Sequence, residues 1–83
     1  MSTGDAVRRL IAAAVGQDEA VVAALPEDTR LFGPEIALSS LAGARLLDAV
    51  HERFGVDVAA EDLNLDALES IASLSGFVER HQR

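Results

Sequence analysis

Leu38-Ser39-Ser40-Leu41-Ala42-Gly43-Ala44-Arg45-Leu46-Leu47-Asp48-Ala49-Val50-His51-Glu52-Arg53-Phe54-Gly55 is the stretch on which the fold turns. Leu41, Leu47, Val50 and Phe54 recur at helical spacing on one face, with Leu46 beside them. Ala42, Arg45, Asp48, Glu52 and Arg53 are then left mainly toward solvent. Ser39 or Ser40 suits the N-cap, because a short hydroxyl accepts from a free first-turn N–H. Gly55 follows the last apolar residue, as a helix stop should. The pattern predicts a helix from about Ser40 to Arg53. Ser40 therefore lies where a loop becomes a helix. A serine there either only caps the helix or offers a hydroxyl that another enzyme modifies.

Upstream, Asp5 to Val15 reads as a second amphipathic helix. Val7, Leu10, Ile11, Ala14 and Val15 make one apolar stripe, Thr3 or Asp5 supplies the cap, and Gly16 stops it. Between Gln17 and Ala37 the periodicity weakens. Asp18 caps a short turn through Ala24, which Pro26 opposes extending, and Gly33-Pro34 marks a further turn. A connection of about 20 residues is long for so small a domain, and such loops are often functional. Leu25, Leu31, Phe32, Ile36 and Leu38 are its expected anchors to the core. Downstream, Val56-Asp57-Val58 reads as a linker, since an isolated strand has nothing to pair with. Glu61 to Leu68 suggests a brief helix. Ser70 caps a last one, with Ile71, Leu74 and Val78 in phase and Phe77 alongside, and His81-Gln82-Arg83 is expected to fray. The expectation is an all-α protein: a small four-helix bundle of three longer helices and one short, with a long loop between helices 1 and 2, in a single domain over residues 1–83.

The 83 residues carry 14 acids against 7 bases, every base an arginine, for a net charge of −7. Such a chain repels phosphate backbones and anionic membranes, so neither nucleic acid nor membrane is an expected partner. Basic patches on other proteins are favoured. There is no cysteine, which excludes disulfides, thiolate catalysis and cysteine-based zinc sites. No apolar run approaches the roughly 20 residues of a membrane span. Met1-Ser2-Thr3-Gly4-Asp5 lacks a basic region followed by an apolar run, so a cytoplasmic monomer without a signal peptide is expected. A domain of this length buries about 60–65% of its unfolded surface, which leaves little room for an internal substrate cavity.

Catalysis by Ser40 would need a base within reach. His51 is the nearer of two histidines, yet it is about 16 Å along the same helix at 1.5 Å per residue. It reads as a surface residue. There is no nucleophile elbow and no phosphate-binding glycine loop, so no catalytic residue is assigned and the protein is not expected to be an enzyme. Asp62, Asn64 and Asp66 have the spacing that opens a calcium loop. Ala67 and Ser73 stand where its glycine and its bidentate glutamate belong, so a solvated acidic linker is expected instead of a metal site.

Taken with its flanks, the motif resembles the acyl carrier and peptidyl carrier protein family. The resemblance runs through Asp28-Thr29-Arg30-Leu31-Phe32-Gly33, Leu38-Ser39-Ser40-Leu41, Leu46-Leu47, Arg53-Phe54-Gly55-Val56 and Ser70-Ile71-Ala72-Ser73-Leu74. It implies that Ser40 carries 4′-phosphopantetheine covalently and that Leu41 is the leucine following the modified serine. Ser39 stands where acyl carriers usually have Asp and peptidyl carriers often have His. The implied role is a stand-alone carrier that holds an acyl or aminoacyl group as a thioester in a polyketide or nonribosomal peptide pathway. The implied partners are a phosphopantetheinyl transferase, an adenylating ligase or acyltransferase, and a downstream synthase or transferase. Ile36, Leu38, Ser39, Leu41, Arg45, Asp48 and Glu52 are the expected partner contacts. The alternative is a non-covalent helical adaptor, or a carrier-like domain that is not modified.

Overall fold

The computed structural model describes residues 2–56 and 65–81, and among them the chain is all-helical apart from one isolated bridge. Helix α1 is Thr3–Val15, α2 is Glu19–Ala23, α3 is Ser40–Phe54 and α4 is Ile71–His81, with a single 3₁₀ turn at Leu65–Leu68. The all-helical small bundle is present, with three longer helices and one short one, but the short helix is α2, inside the stretch expected to be a long loop, and not the one expected at Glu61 to Leu68. The predicted brief helix at Glu61 to Leu68 falls partly outside the described residues, and its described part is the 3₁₀ turn. Asp57 and Val58 of the predicted linker, and Asp62 and Asn64 of the acidic stretch, also lie outside them.

α1 is the central element, packed against α2, α3 and α4. That explains why its buried surface is wider than one stripe. Ala6, Val7, Ile11 and Ala12 are buried, while Leu10, Ala14 and Val15 pack at the margins. The helix also starts two residues before Asp5. Ser2, not Thr3 or Asp5, is the cap, its Oγ accepting from the Asp5 N–H at 3.1 Å. Asp5 then lies in the first turn, where a negative charge meets the positive end of the dipole. Gly16 and Gly55 end α1 and α3 in the left-handed region, at φ 72° and 69°, as their positions in the sequence predict.

Asp18 caps α2, accepting from the Ala20 N–H at 2.9 Å. The carbonyls at the far end of α2 are taken by Arg8 of α1. Its Nη1 donates to the oxygens of Val22, Ala23 and Leu25 at 2.9, 3.2 and 2.6 Å. A guanidinium satisfies carbonyls that a five-residue helix leaves open and complements its negative end.

Two expectations about the core are corrected. Phe32 is 58% exposed and Leu41 65% exposed. In α3 the buried line is Ala42, Leu46 and Val50, at i, i+4 and i+8, with Leu47 and Phe54 at its edges. That phase places Ala42 inside and turns Leu41 outward, so side-chain size was a poorer guide than spacing. Phe32 sits in the turn closed by the Gly33 N–H donating to the Arg30 carbonyl at 3.2 Å, between the buried Leu31 and Ile36. His81 does not fray. It is the last residue of α4, its Nδ1 is 2.9 Å from the Phe77 carbonyl, and its ring stacks on Phe77 at 4.2 Å.

The long loop is fastened to the start of α4. Arg30 and Ser70 form the antiparallel bridge. The Leu31 N–H donates to the Glu69 carbonyl at 3.2 Å, and the N–H groups of Ile71 and Ala72 donate to the carbonyls of Thr29 and Glu27 at 3.1 and 2.8 Å. Loop carbonyls thus serve the N–H groups that a helix start leaves unpaired.

Candidate cofactor-attachment site

The path into α3 is set from inside the protein. Leu31, Ile36 and Leu38 are buried, and the Leu38 N–H donates to the Leu31 carbonyl at 2.8 Å. Between the two buried residues, Ala37 adopts φ 54°, the one described non-glycine residue in the left-handed region. For an alanine this conformation costs about 1 kcal/mol. It is held by the burial of Ile36 and Leu38 and by the Ala37 N–H donating to the Gly33 carbonyl at 2.6 Å. Strain of this kind persists only where the surroundings over-determine it, and it clusters at functional sites.

The choice between the two serines is resolved. Ser39 is the N-cap: its backbone is extended, and its Oγ accepts from the Ala42 N–H at 3.1 Å. Its carbonyl accepts from the Gly43 N–H at 2.7 Å. Ser40 is the first residue of the helix and is exposed. Its hydroxyl makes no hydrogen bond to another described residue. The N–H groups of Ser40 and Leu41 likewise have no acceptor among the described residues. A phosphate ester at Ser40 would meet open solvent, two unpaired N–H groups and the positive end of a 15-residue helix. These residues fit a phosphate-bearing group.

His51 lies in the last turn of α3, at the opposite end of the helix from Ser40. Among the described residues no cluster of His, Asp or Glu is arranged to hold a metal, and no helix is long and apolar enough to cross a membrane.

The expected partner contacts divide in two. Ser39, Leu41, Arg45, Asp48 and Glu52 are exposed, with Leu41, Arg45, Asp48 and Glu52 spaced three or four residues apart along one side of α3. Ile36 and Leu38 are 2% and 6% exposed, which corrects their assignment as contact surface: they hold the loop from within. Ala37 was missed by sequence reading, since an alanine carries no sign of a left-handed backbone. The exposure of Phe32 was missed because an aromatic between apolar neighbours reads as core.

A family model described as "Phosphopantetheine attachment site" matches residues 5–78. Among curated proteins and solved structures, none matches the chain. The match covers nearly all of the sequence, from the first turn of α1 to the last turn of α4. The chain therefore belongs to the phosphopantetheine-attachment family and is a carrier protein whose cofactor is bound covalently to a serine.

Proposed function

We propose that Ser40 is the attachment residue, and that the protein presents an acyl or aminoacyl thioester to enzymes of a polyketide or nonribosomal peptide pathway. The observation that carries the assignment is the division of labour at the start of α3. Ser39 makes the cap, so the Ser40 hydroxyl is left exposed and unengaged. A serine needed only for helix stability would be the one making the bond.

In the loading step Ser40 Oγ forms a bond to the phosphorus of coenzyme A's pantetheine phosphate, and the bisphosphoadenosine half leaves. The hydroxyl proton goes to a base of the transferase, because His51 of the carrier lies at the opposite end of α3. Once bound, the cofactor supplies the thiol that carries the acyl group. The first turn of α3 stabilises the ester's charge through its free N–H groups and dipole. Leu41, Arg45, Asp48 and Glu52 form the face that partners read. Arg45 opposes a uniformly basic partner and selects one with an acid at that position. Tethering raises the effective concentration of the cargo for each docked enzyme.

Incubation with coenzyme A and a broad-range phosphopantetheinyl transferase, followed by intact mass, tests this reading. One phosphopantetheine on the wild type and none on Ser40→Ala supports it. No addition with any transferase, the host's own included, overturns it and leaves the non-covalent adaptor. Loading the modified protein with candidate acyl and aminoacyl donors then reports the pathway.

A further inference from the structure

A groove of about 380 Å³ opens between the end of α1, the end of the long loop and the first turns of α3. Val15, Ile36, Leu41 and Ala42 form its apolar wall, and Gln17 and Arg45 stand at its polar edge. Ser39 lines it too, so both chain neighbours of Ser40 stand on its rim. The loop side is fixed by the Gln17 Nε2 donating to the Glu35 carbonyl at 3.2 Å and by the left-handed Ala37, which also faces the groove. Leu41 is 65% exposed here, with no apolar cover.

Arg45 is the charged group of this groove. It is exposed and makes no hydrogen bond, ion pair or ring contact with another described residue. Arg8 is committed to three carbonyls, Arg9 to Glu19 at 3.4 Å and Arg53 to the ring of Phe54 at 5.5 Å; the guanidinium groups of Arg30 and Arg80 are as free as that of Arg45 among the described residues, but neither residue lines this groove.

Resting on the reading of Ser40 as the attachment residue, we propose that this groove is the resting place of the cofactor arm, with Arg45 receiving its phosphodiester. An ester on Ser40 Oγ places a negative charge in the first turn of α3. Helical side chains lean toward the N-terminus, and Arg45 is one turn past Leu41 on the same groove, so its long side chain has the direction needed to reach back toward that turn. A guanidinium bonds two oxygens of a phosphodiester at once. In a chain of net charge −7 a further anion is otherwise disfavoured, so an unpaired cation beside it is complementary. The arm continues from the phosphate into a branched aliphatic segment, which matches the accessible part of the wall at Val15 and Leu41, with Ile36 buried behind it. Arg45 is thus a positioning residue for the arm, distinct from the residue that bears it.

One exposed ion pair is weak, so the arm rests and leaves: losing Arg45 should lower occupancy on the order of fivefold. The test is an amide and arginine Nε–H NMR comparison of the unmodified and modified protein, each checked by intact mass. Modification is expected to shift Val15, Gln17, Ile36, Leu41 and the Arg45 Nε–H. In modified Arg45→Ala the shifts at Val15, Gln17 and Ile36 should largely vanish, and Arg45→Lys should retain part of them. Because Arg45 is exposed, both unmodified variants should melt with the wild type. Shifts confined to the immediate neighbours of Ser40, or identical patterns in wild type and Arg45→Ala, overturn the proposal while leaving the attachment site standing. Groove signals that move with protein concentration before modification assign the groove to a second copy and also overturn it. Failure of the mass increment itself removes the attachment reading, and this inference with it.

Discussion

The starts of α3 and α4 look alike in sequence, and the fold treats them in opposite ways. Each begins at a serine whose Oγ accepts from the N–H three residues on: Ser39 from Ala42 and Ser70 from Ser73, both at 3.1 Å. At α4 the rest of the chain closes the terminus. Thr29 and Glu27 carbonyls take the N–H groups of Ile71 and Ala72, and the Ser73 hydroxyl meets Ser70 Oγ at 3.0 Å. At α3 nothing comparable arrives: the N–H groups of Ser40 and Leu41 and the Ser40 hydroxyl have no partner among the described residues. One helix start is closed by the rest of the chain, and the other leaves its first N–H groups and a hydroxyl open, as the proposed attachment at Ser40 requires. A cap motif therefore locates a helix start, but only the tertiary surroundings say whether that start is available.

The contrast breaks most sharply under Ser40→Ala. Intact mass should show complete loss of phosphopantetheine addition, with a circular dichroism spectrum and melting temperature matching the wild type. Substitution of Ser73, whose hydroxyl is engaged by the α4 cap Ser70, should leave addition unchanged. Next in size is Leu31→Ala, which empties a fully buried position where the loop meets α4. It should cost about 3 kcal/mol in urea unfolding, and amide exchange should rise at Leu38 as well as at Ile71. Loss confined to one of those two would show that the termini are not joined through the loop.

Removal of either cap should cost about 1 kcal/mol. Ser70→Ala is expected to act on stability alone. Ser39→Ala is expected to act on stability and also to slow modification, because the turn bearing Ser40 loosens. Equal modification rates in the two variants would argue that cap order is irrelevant to the transferase. The smallest effect belongs to Ser39→Asp, which keeps the cap and adds a charge at the positive end of α3. It should stabilise the unmodified protein by about 0.5 kcal/mol. The gain should shrink after modification, when a second anion shares the same turn; an undiminished gain would mean the ester does not sit there.

Much of this was legible from residues. The stops at Gly16 and Gly55, the caps Asp18 and Ser70, and the bundle itself follow from local chemistry that neighbours do not override. What was not legible depends on partners distant in sequence. Ser2 outcompetes Thr3 and Asp5 because α1 extends another half turn, which its packing on three helices supports. Leu41 faces out because the phase of α3 is set by Ala42, Leu46 and Val50 against the core, and a leucine one position off that line reads as apolar either way. Nothing in the sequence pairs Arg8 with the carbonyls of Val22, Ala23 and Leu25, which lie 14 to 17 residues away. The serines at 39 and 40 were equivalent in sequence, since each was able to cap, and only the backbone separated them.

The pairing of the long loop with the head of α4 has a consequence for how the protein is made. Its hydrogen bonds join residues about forty positions apart, on either side of α3. During synthesis Ser40 leaves the ribosome well before Glu69 to Ala72 do. A chain halted between them contains the serine but not the segment that orders the residues leading up to it. Its approach, from Thr29 through Leu31 to Leu38, becomes fixed only when the last helix begins. Display of the serine in its final setting is thereby tied to near-completion of the domain; if Ser40 is the attachment residue as proposed, an unfinished chain is a poorer substrate for loading than the folded domain.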